Sequence, residues 1–290
     1  TRFHSDPLIM ASELLLQERT PRHVAIEHPR AEEVKISASE TRRKAHVVRR
    51  LQAPFAGPPV SHLLSNGHYS VMLTATGGGY SRWGDIAVTR WHEDATRDEA
   101  GSFVMLKDMR SGAIWSPAGN PSGSVPDRQD VLFAEDHAEF THVDGALTTS
   151  MDVLVSGEDD SEVRRISLTN AGRRPREIEV TSYAELVLTT ASADAAHPAF
   201  AKMFVETEYL PELGALIASR RRRSPSEPEI WAAHFAVTEG EIAAAPQYQT
   251  DRLKFLGRGR ALTNAAAFTE DQKLSNTIGT VLEPIFSLRQ

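Results

Sequence analysis

The densest concentration of residues able to do chemistry lies between Gly77 and Asp98. It reads Gly77-Gly78-Gly79-Tyr80-Ser81-Arg82-Trp83-Gly84-Asp85, then Thr89-Arg90-Trp91-His92-Glu93-Asp94-Ala95-Thr96-Arg97-Asp98. Successive glycines let the backbone approach a neighbour closely or enter φ values closed to other residues. Two tryptophans among arginines and aspartates supply what a sugar site uses: an apolar face for the C–H side of the ring and fork-shaped charged groups for its hydroxyls. The candidate contacts are Arg82, Trp83, Asp85, Arg90 and Trp91, with Trp115 further along the chain. The same residues also have an architectural reading. In it the glycines make a bulged turn, the tryptophans fill the core, and Arg/Asp pairs lock a long loop. In both readings Arg82 or Arg90 should pair with Asp85, Asp94 or Asp98, because a charge buried without a partner is costly. Residue types alone leave both readings open.

Other chemistries find little footing. A phosphate loop needs Gly-x-Gly-x-x-Gly or a Gly-Lys-Ser ending before a helix, and neither follows Gly77. Glu135 with Asp136, and Asp159 with Asp160, are adjacent carboxylates, and glycoside cleavage uses two. Neighbours on a strand point to opposite faces, however, so neither pair can converge on one substrate. The 11 histidines are scattered without His-Glu-x-x-His spacing, so neither a metal nor a cofactor is expected. A net charge of -7 argues against nucleic acid. The basic run Arg220-Arg221-Arg222-Arg223, followed by Ser-Pro-Ser-Glu-Pro, reads as an exposed loop. The absence of cysteine excludes disulfides and thiolate catalysis. No apolar stretch is long enough to span a bilayer, so no direct membrane contact is expected.

These residues must be positioned by something, and the chain changes character along its length. Ser5-Asp6-Pro7 followed by Leu8, Ala11, Leu14 and Leu15 predicts a helix over about 6–19, outside the main sheets. Pro21, Pro29 and the charged stretch to Glu33 read as a linker, which sets domain boundaries of 1–33 for helix and linker and 34–290 for the rest. From Lys35 onward, short segments alternate with period two. Examples are Tyr69 to Thr74, Ser102 to Lys107, Glu139 to Val143, Ser150 to Val155, Glu162 to Thr169 and Glu177 to Leu188. Asp144-Gly145 and Ser111-Gly112 sit where tight turns are needed. Residues 189–202 break the alternation and are expected to cross the sheet irregularly. Further strands are expected at Met203 to Thr207, Ala215 to Ser219 and Trp231 to Val237. Many strands with little intervening helix predict a mainly β protein of stacked antiparallel sheets. The start at Thr1 and the end in the strand-like run Ser287-Leu288-Arg289-Gln290 read as those of a piece of something longer.

The runs Ser65-Asn66-Gly67-His68-Tyr69, Gly77 to Trp83, Thr89-Arg90-Trp91, Glu93 to Asp98 and Trp115-Ser116-Pro117 resemble the β-sandwich domain of the glycoside hydrolase family 94 phosphorylases. So do Phe133-Ala134-Glu135-Asp136, Thr181-Ser182-Tyr183-Ala184-Glu185 and Ala195-Ala196-His197-Pro198-Ala199-Phe200. Phe3-His4-Ser5-Asp6-Pro7 with Glu13 to Arg19 resembles the linker into that domain in bacterial cyclic β-1,2-glucan synthases. The resemblance implies a large antiparallel supersandwich of the galactose-mutarotase-like kind. In that family the catalytic acid lies in a following (α/α)6 barrel and inorganic phosphate is the nucleophile, so no catalytic residue is carried over. It also implies that the Gly77 to Trp83 segment matches a loop reaching toward the barrel. The implied function is non-catalytic binding or guiding of β-1,2-glucan or its oligosaccharides through the candidate contacts. The alternative is a purely structural scaffold against neighbouring domains of the parent chain. The implied location is the cytoplasmic side, with the parent enzyme anchored in the bacterial inner membrane by other segments.

Overall fold

The computed structural model describes residues 7–9, 48–55, 58–92, 94, 96, 99–225, 227–269 and 273–290. The chain divides into two compact units, Thr1–Ala45 and His46–Gln290. In the first, residues 7–9 are helical, and the remainder of the expected helix and its linker lies outside the described residues.

The second unit is built of antiparallel sheets, with strands numbered β1–β18 along the chain. One sheet has the order β1 (Arg49–Gln52), β8 (Arg128–Phe133), β9 (His137–Asp144), β10 (Leu147–Val155), β11 (Glu162–Asn170). The largest runs β16 (Gln247–Asp251), β18 (Pro284–Arg289), β12 (Ile178–Thr190), β5 (Ile86–Thr89), β4 (Gly79–Trp83), β3 (Tyr69–Thr74), β2 (Ser61–Ser65). β6 (Ser102–Asp108) joins the first half of β12 and carries β7 (Ile114–Trp115). The third sheet is β15 (Ile230–Phe235), β14 (Ala215–Arg220), β13 (Val205–Leu210), β17 (Gly279–Thr280).

Period-two patterning accounts for the layering. β9 and β10 alternate buried and part-exposed residues along most of their length and are joined at Asp144-Gly145, where Gly145 has φ +55. Their inward residues Phe140, Met151 and Val153 meet Phe133 of β8 and Val71 and Leu73 of β3 in a first apolar core. A second core lies between the large sheet and the third one, where Leu186, Leu188, Phe286 and Leu288 pack on Val205, Leu216 and Ile230. A third cluster, around Tyr183, Phe255 and Phe268, is closed by the helix Arg252–Leu256. The mainly β antiparallel supersandwich expected from the sequence is the fold observed.

Residues 189–202 differ from expectation. β12 continues to Thr190, and two short helices follow, α1 (Ala191–Ala196) and α2 (Pro198–Lys202). The Thr190 hydroxyl accepts from the Ala193 amide at 3.3 Å, and Pro198 opens α2. Thr190 is therefore a helix cap and His197-Pro198 a helix start, where an irregular crossing was expected. In the arginine run, the guanidinium groups of Arg220, Arg221 and Arg223 lie 5.3, 5.9 and 5.8 Å from the Phe204 ring centre. Arg222 pairs with Glu229 and Arg223 with Glu227.

His234 of β15 links the third sheet to the large one. Its Nε2 lies 2.7 Å from Ser182 Oγ, and its ring stacks on Phe286 at 5.7 Å. The residue keeps some solvent contact, but the ring is enclosed, and burial pushes its pKa down to about 4. An unfolded imidazole takes up its proton near pH 6.5, so stability should fall as pH drops from there towards 4, by at most about 3 kcal/mol. Thermal melts between neutral and acidic pH should show this loss in the wild type and a smaller one in His234→Gln. Equal slopes in the two would remove His234 from the account.

Candidate functional site

The hairpin from β3 to β4 explains the glycines. Gly77 has φ +91, and a Cβ there would lie 2.4 Å from Ala118 Cβ. Gly79 has φ +151, and a Cβ there would lie 1.9 Å from the Met72 carbonyl oxygen. Both positions admit only glycine because of backbone geometry and close packing, with no ligand required.

Along β4 successive side chains alternate between faces, so Tyr80 and Arg82 lie on one side and Ser81 and Trp83 on the other. The Trp83 indole N–H donates to Asp160 Oδ2 at 2.7 Å, and the Ser81 hydroxyl donates to Glu162 Oε2 at 2.7 Å. Asn66 Nδ2 donates to the carbonyls of Ser156 and Asp159 at 2.9 and 3.1 Å. These bonds tie the β3–β4 region to the β10–β11 hairpin, and they give Asp159 and Asp160 an architectural role. Trp83 remains 39% exposed. Asp85 is exposed in the β4–β5 turn.

Arg90, just beyond β5, is buried. Its Nε and Nη2 donate to Asp194 Oδ2 and Oδ1 at 3.0 and 2.9 Å, and its Nη1 donates to Glu185 Oε2 at 3.1 Å. This corrects the expected pairing with Asp85, Asp94 or Asp98. The partners come from α1 and β12, roughly a hundred residues away in sequence. β12 passes from β6, paired up to Ala184, to β5, paired from Leu186 opposite Thr89, and that register sets Glu185 beside Arg90; a bulge with Leu188 at φ +54 follows. Glu185 Oε1 also accepts from the Tyr183 hydroxyl at 2.8 Å and from Arg252 Nε at 2.6 Å. Arg252 and Lys202 in turn hold Glu283 at 2.9 and 2.6 Å. Cations Arg90, Lys202 and Arg252 thus balance anions Asp194, Glu185 and Glu283.

Arg90, Tyr183, Glu185 and Arg252 of this network form the floor of a cleft of about 170 Å³, lined also by His92, Asp94 and Glu99. Burial alone would raise the Glu185 carboxyl, but Arg252, the Tyr183 hydroxyl and Arg90 hold it below the usual carboxylate range. Burial and the Glu185 charge push the Tyr183 phenol well above its ordinary value. With both oxygens engaged and its pKa lowered, Glu185 is poorly suited to accept a proton, and Tyr183 to lose one. The floor can therefore present fixed polar groups to a neutral ligand. Among the described residues no group of three His, Cys, Asp or Glu is placed to hold a metal ion.

The structure divides the sequence candidates among four environments. Arg90 forms the cleft floor, and the half-buried Trp91, next in the chain, meets Tyr80 edge-on at 5.8 Å. Arg82 lies with Tyr80 on the outer face of β4, and Trp83 faces the opposite way toward Asp160. Trp115 is buried in the first core, where its indole N–H donates to Thr149 Oγ1 at 3.0 Å. Tyr183, Glu185, Asp194 and Arg252 were absent from the candidates. The alternation that puts Tyr183 and Glu185 on one face was visible, but nothing local named their partners.

A three-layered antiparallel supersandwich places the chain in a known class. The family described as "Glycosyl hydrolase 94, supersandwich domain" matches residues 44–290, and the chain belongs to it. The chain is 42% identical, over 99% of its length, to the cyclic beta-(1,2)-glucan synthase NdvB of Rhizobium meliloti (strain 1021), of which it covers 10%. It is 26% identical over 64% of its length to the solabiose phosphorylase of Paenibacillus borealis, covering 24% of that enzyme. To the N,N'-diacetylchitobiose phosphorylase of Vibrio furnissii it is 21% identical over 57% of its length, covering 21% of that enzyme. The chain thus spans a tenth to a quarter of these relatives.

Proposed function

We propose that this domain binds a β-1,2-linked glucan without transforming it and guides it toward the catalytic parts of a longer glucan-handling enzyme. The observation that carries the reading is the polar cleft formed by Arg90, Tyr183, Glu185 and Arg252, with the half-buried Trp91, between Arg90 and His92 in the chain, set edge-on to Tyr80. An aromatic side chain in the same segment as fixed hydrogen-bonding groups suits a neutral sugar, and a cleft in which Asp94, Glu99 and Glu185 accompany Arg90 and Arg252 does not select for an anion such as free phosphate. The likeness to a cyclic β-(1,2)-glucan synthase points to the same ligand class. On this reading the sandwich is residues 34–290, its macromolecular partners are other domains of the parent chain, and it works on the cytoplasmic side beside membrane anchors supplied elsewhere. No helix among the described residues is long and apolar enough to cross a membrane.

The alternative, a scaffold alone, is favoured by the Trp83–Asp160 bond and the Arg90 network, which serve the fold. Tryptophan fluorescence titrated with β-1,2-gluco-oligosaccharides separates the two. Trp91→Ala should weaken binding about tenfold, corresponding to about 1.4 kcal/mol, with the melting temperature nearly unchanged. Trp83→Phe should leave binding intact and cost about 1 kcal/mol of stability through the lost bond to Asp160. If Trp91→Ala instead destabilises strongly and the wild type shows no saturable signal, the scaffold reading stands. The same protein, mixed with linear β-1,2-glucan and phosphate, should release no product above a heat-treated control, and release would contradict the non-catalytic reading.

A further inference from the structure

We propose that the outer face of β4, carrying Tyr80 and Arg82, is a second glucosyl subsite continuous with Trp91, so that the domain holds a chain of sugars and not a single one. This rests on the glucan-binding reading above and adds a separate contact to it. Tyr80 and Arg82 stand two residues apart on one strand face, about 7 Å along the strand. The Tyr80 ring meets Trp91 at 5.8 Å, so Trp91, Tyr80 and Arg82 follow one another. In register beside them on the same face are Met72, opposite Tyr80, and Ser70, opposite Arg82, both part-exposed. Leu63, opposite Met72 on the edge strand β2, is 57% exposed. The other face of these strands is already used, since Val71 and Leu73 are in the first core.

Arg82 differs from the arginines around it. Arg90 and Arg252 each hold two carboxylates, whereas the Arg82 side chain makes no hydrogen bond or ion pair with the described residues, and its Nε is buried without an acceptor. A buried donor left unmade calls for an explanation, because such groups are nearly always satisfied in folded proteins. Swung out from its buried position, the Nε–Nη edge would offer two parallel donors to adjacent sugar hydroxyls, with Tyr80 as the apolar surface beside them. A ligand that contacts both this subsite and Trp91 must be an oligosaccharide.

Calorimetry with β-1,2-linked glucose disaccharide and hexasaccharide tests this on the chain as it stands. The wild type should bind the hexasaccharide more tightly. Arg82→Met, which keeps the apolar stem and removes the donors, should weaken hexasaccharide binding about tenfold, with disaccharide affinity and melting temperature unchanged. Equal weakening of both ligands, or none, would overturn the subsite, as would a lowered melting temperature with binding intact. If Arg82→Met does not fold, Leu63→Glu on the same face is expected to give the same selective loss. Absence of binding by either sugar to the wild type would instead remove the glucan reading itself, and the subsite with it.

Discussion

Arg90→Met should lower the stability of the protein by about 3–5 kcal/mol, the range for removing one partner of a buried ion pair. The side chain is buried and donates three hydrogen bonds to two carboxylates, one of which, Asp194, is itself buried. Burial works against the Arg90 charge, but Asp194 and Glu185 more than offset it, so the guanidinium stays firmly protonated. Removing it strips the Asp194 carboxylate of its two charge-assisted bonds, while Glu185 keeps Arg252 and Tyr183. The loss should therefore fall mainly on Asp194, and adding Asp194→Asn to Arg90→Met should recover part of it. In a domain of this size the single change corresponds to a drop in melting temperature of about 10 °C. A drop of only a degree or two would show that the network is solvated and contributes little.

Gly79→Ala should give little or no folded protein. The added Cβ would sit 1.9 Å from the Met72 carbonyl oxygen, a backbone atom of the paired strand, at a φ of +151. Relief requires β3 and β4 to separate where they bound the first core, beside Leu73. The expected cost exceeds about 4 kcal/mol, the level at which single changes become exceptional. Gly145→Ala is the control. It also has a positive φ, +55, but nothing lies within 4 Å of its added Cβ. Its cost should be about 1–2 kcal/mol, from backbone strain alone. Soluble yield and circular dichroism of the two variants compare them directly, and comparable folding would mean that the close approach at Gly79 relaxes easily.

The strands were the most legible part of the chain, because alternation is local and every inward residue of β9 or β10 repeats the same message. Antiparallel stacking followed from it. What failed was local information of another kind, or information that is not local. Thr190 and Pro198 are a helix cap and a first-turn proline, yet the six-residue and five-residue helices they start are too short to show an apolar period. In the candidate site, residue types singled out the segment from Gly77 to Asp98, but alternation along β4 sends Trp83 away from Arg82. Arg90 was recognisable as a residue needing a partner, and the nearest aspartates in sequence were the natural candidates. Its partners are supplied by β12 where that strand passes from β6 to β5, and by a helix beyond it, and pairing at that separation leaves no trace in the spacing of residues. Trp115 could be read either as a sugar contact or as core, and only the packing of β6, β7 and β10 puts it in the core with Thr149 as its acceptor.

The most direct test of the central claim is a calorimetric titration of this chain with β-1,2-gluco-oligosaccharides at neutral pH, with a β-1,4-linked set of equal length as control. Saturable heat for the β-1,2 series, reduced in Trp91→Ala and preserved in Trp83→Phe, is the expected result. No heat of binding for any oligosaccharide, from a protein whose melting curve shows it to be folded, would contradict the claim and leave the supersandwich as a scaffold.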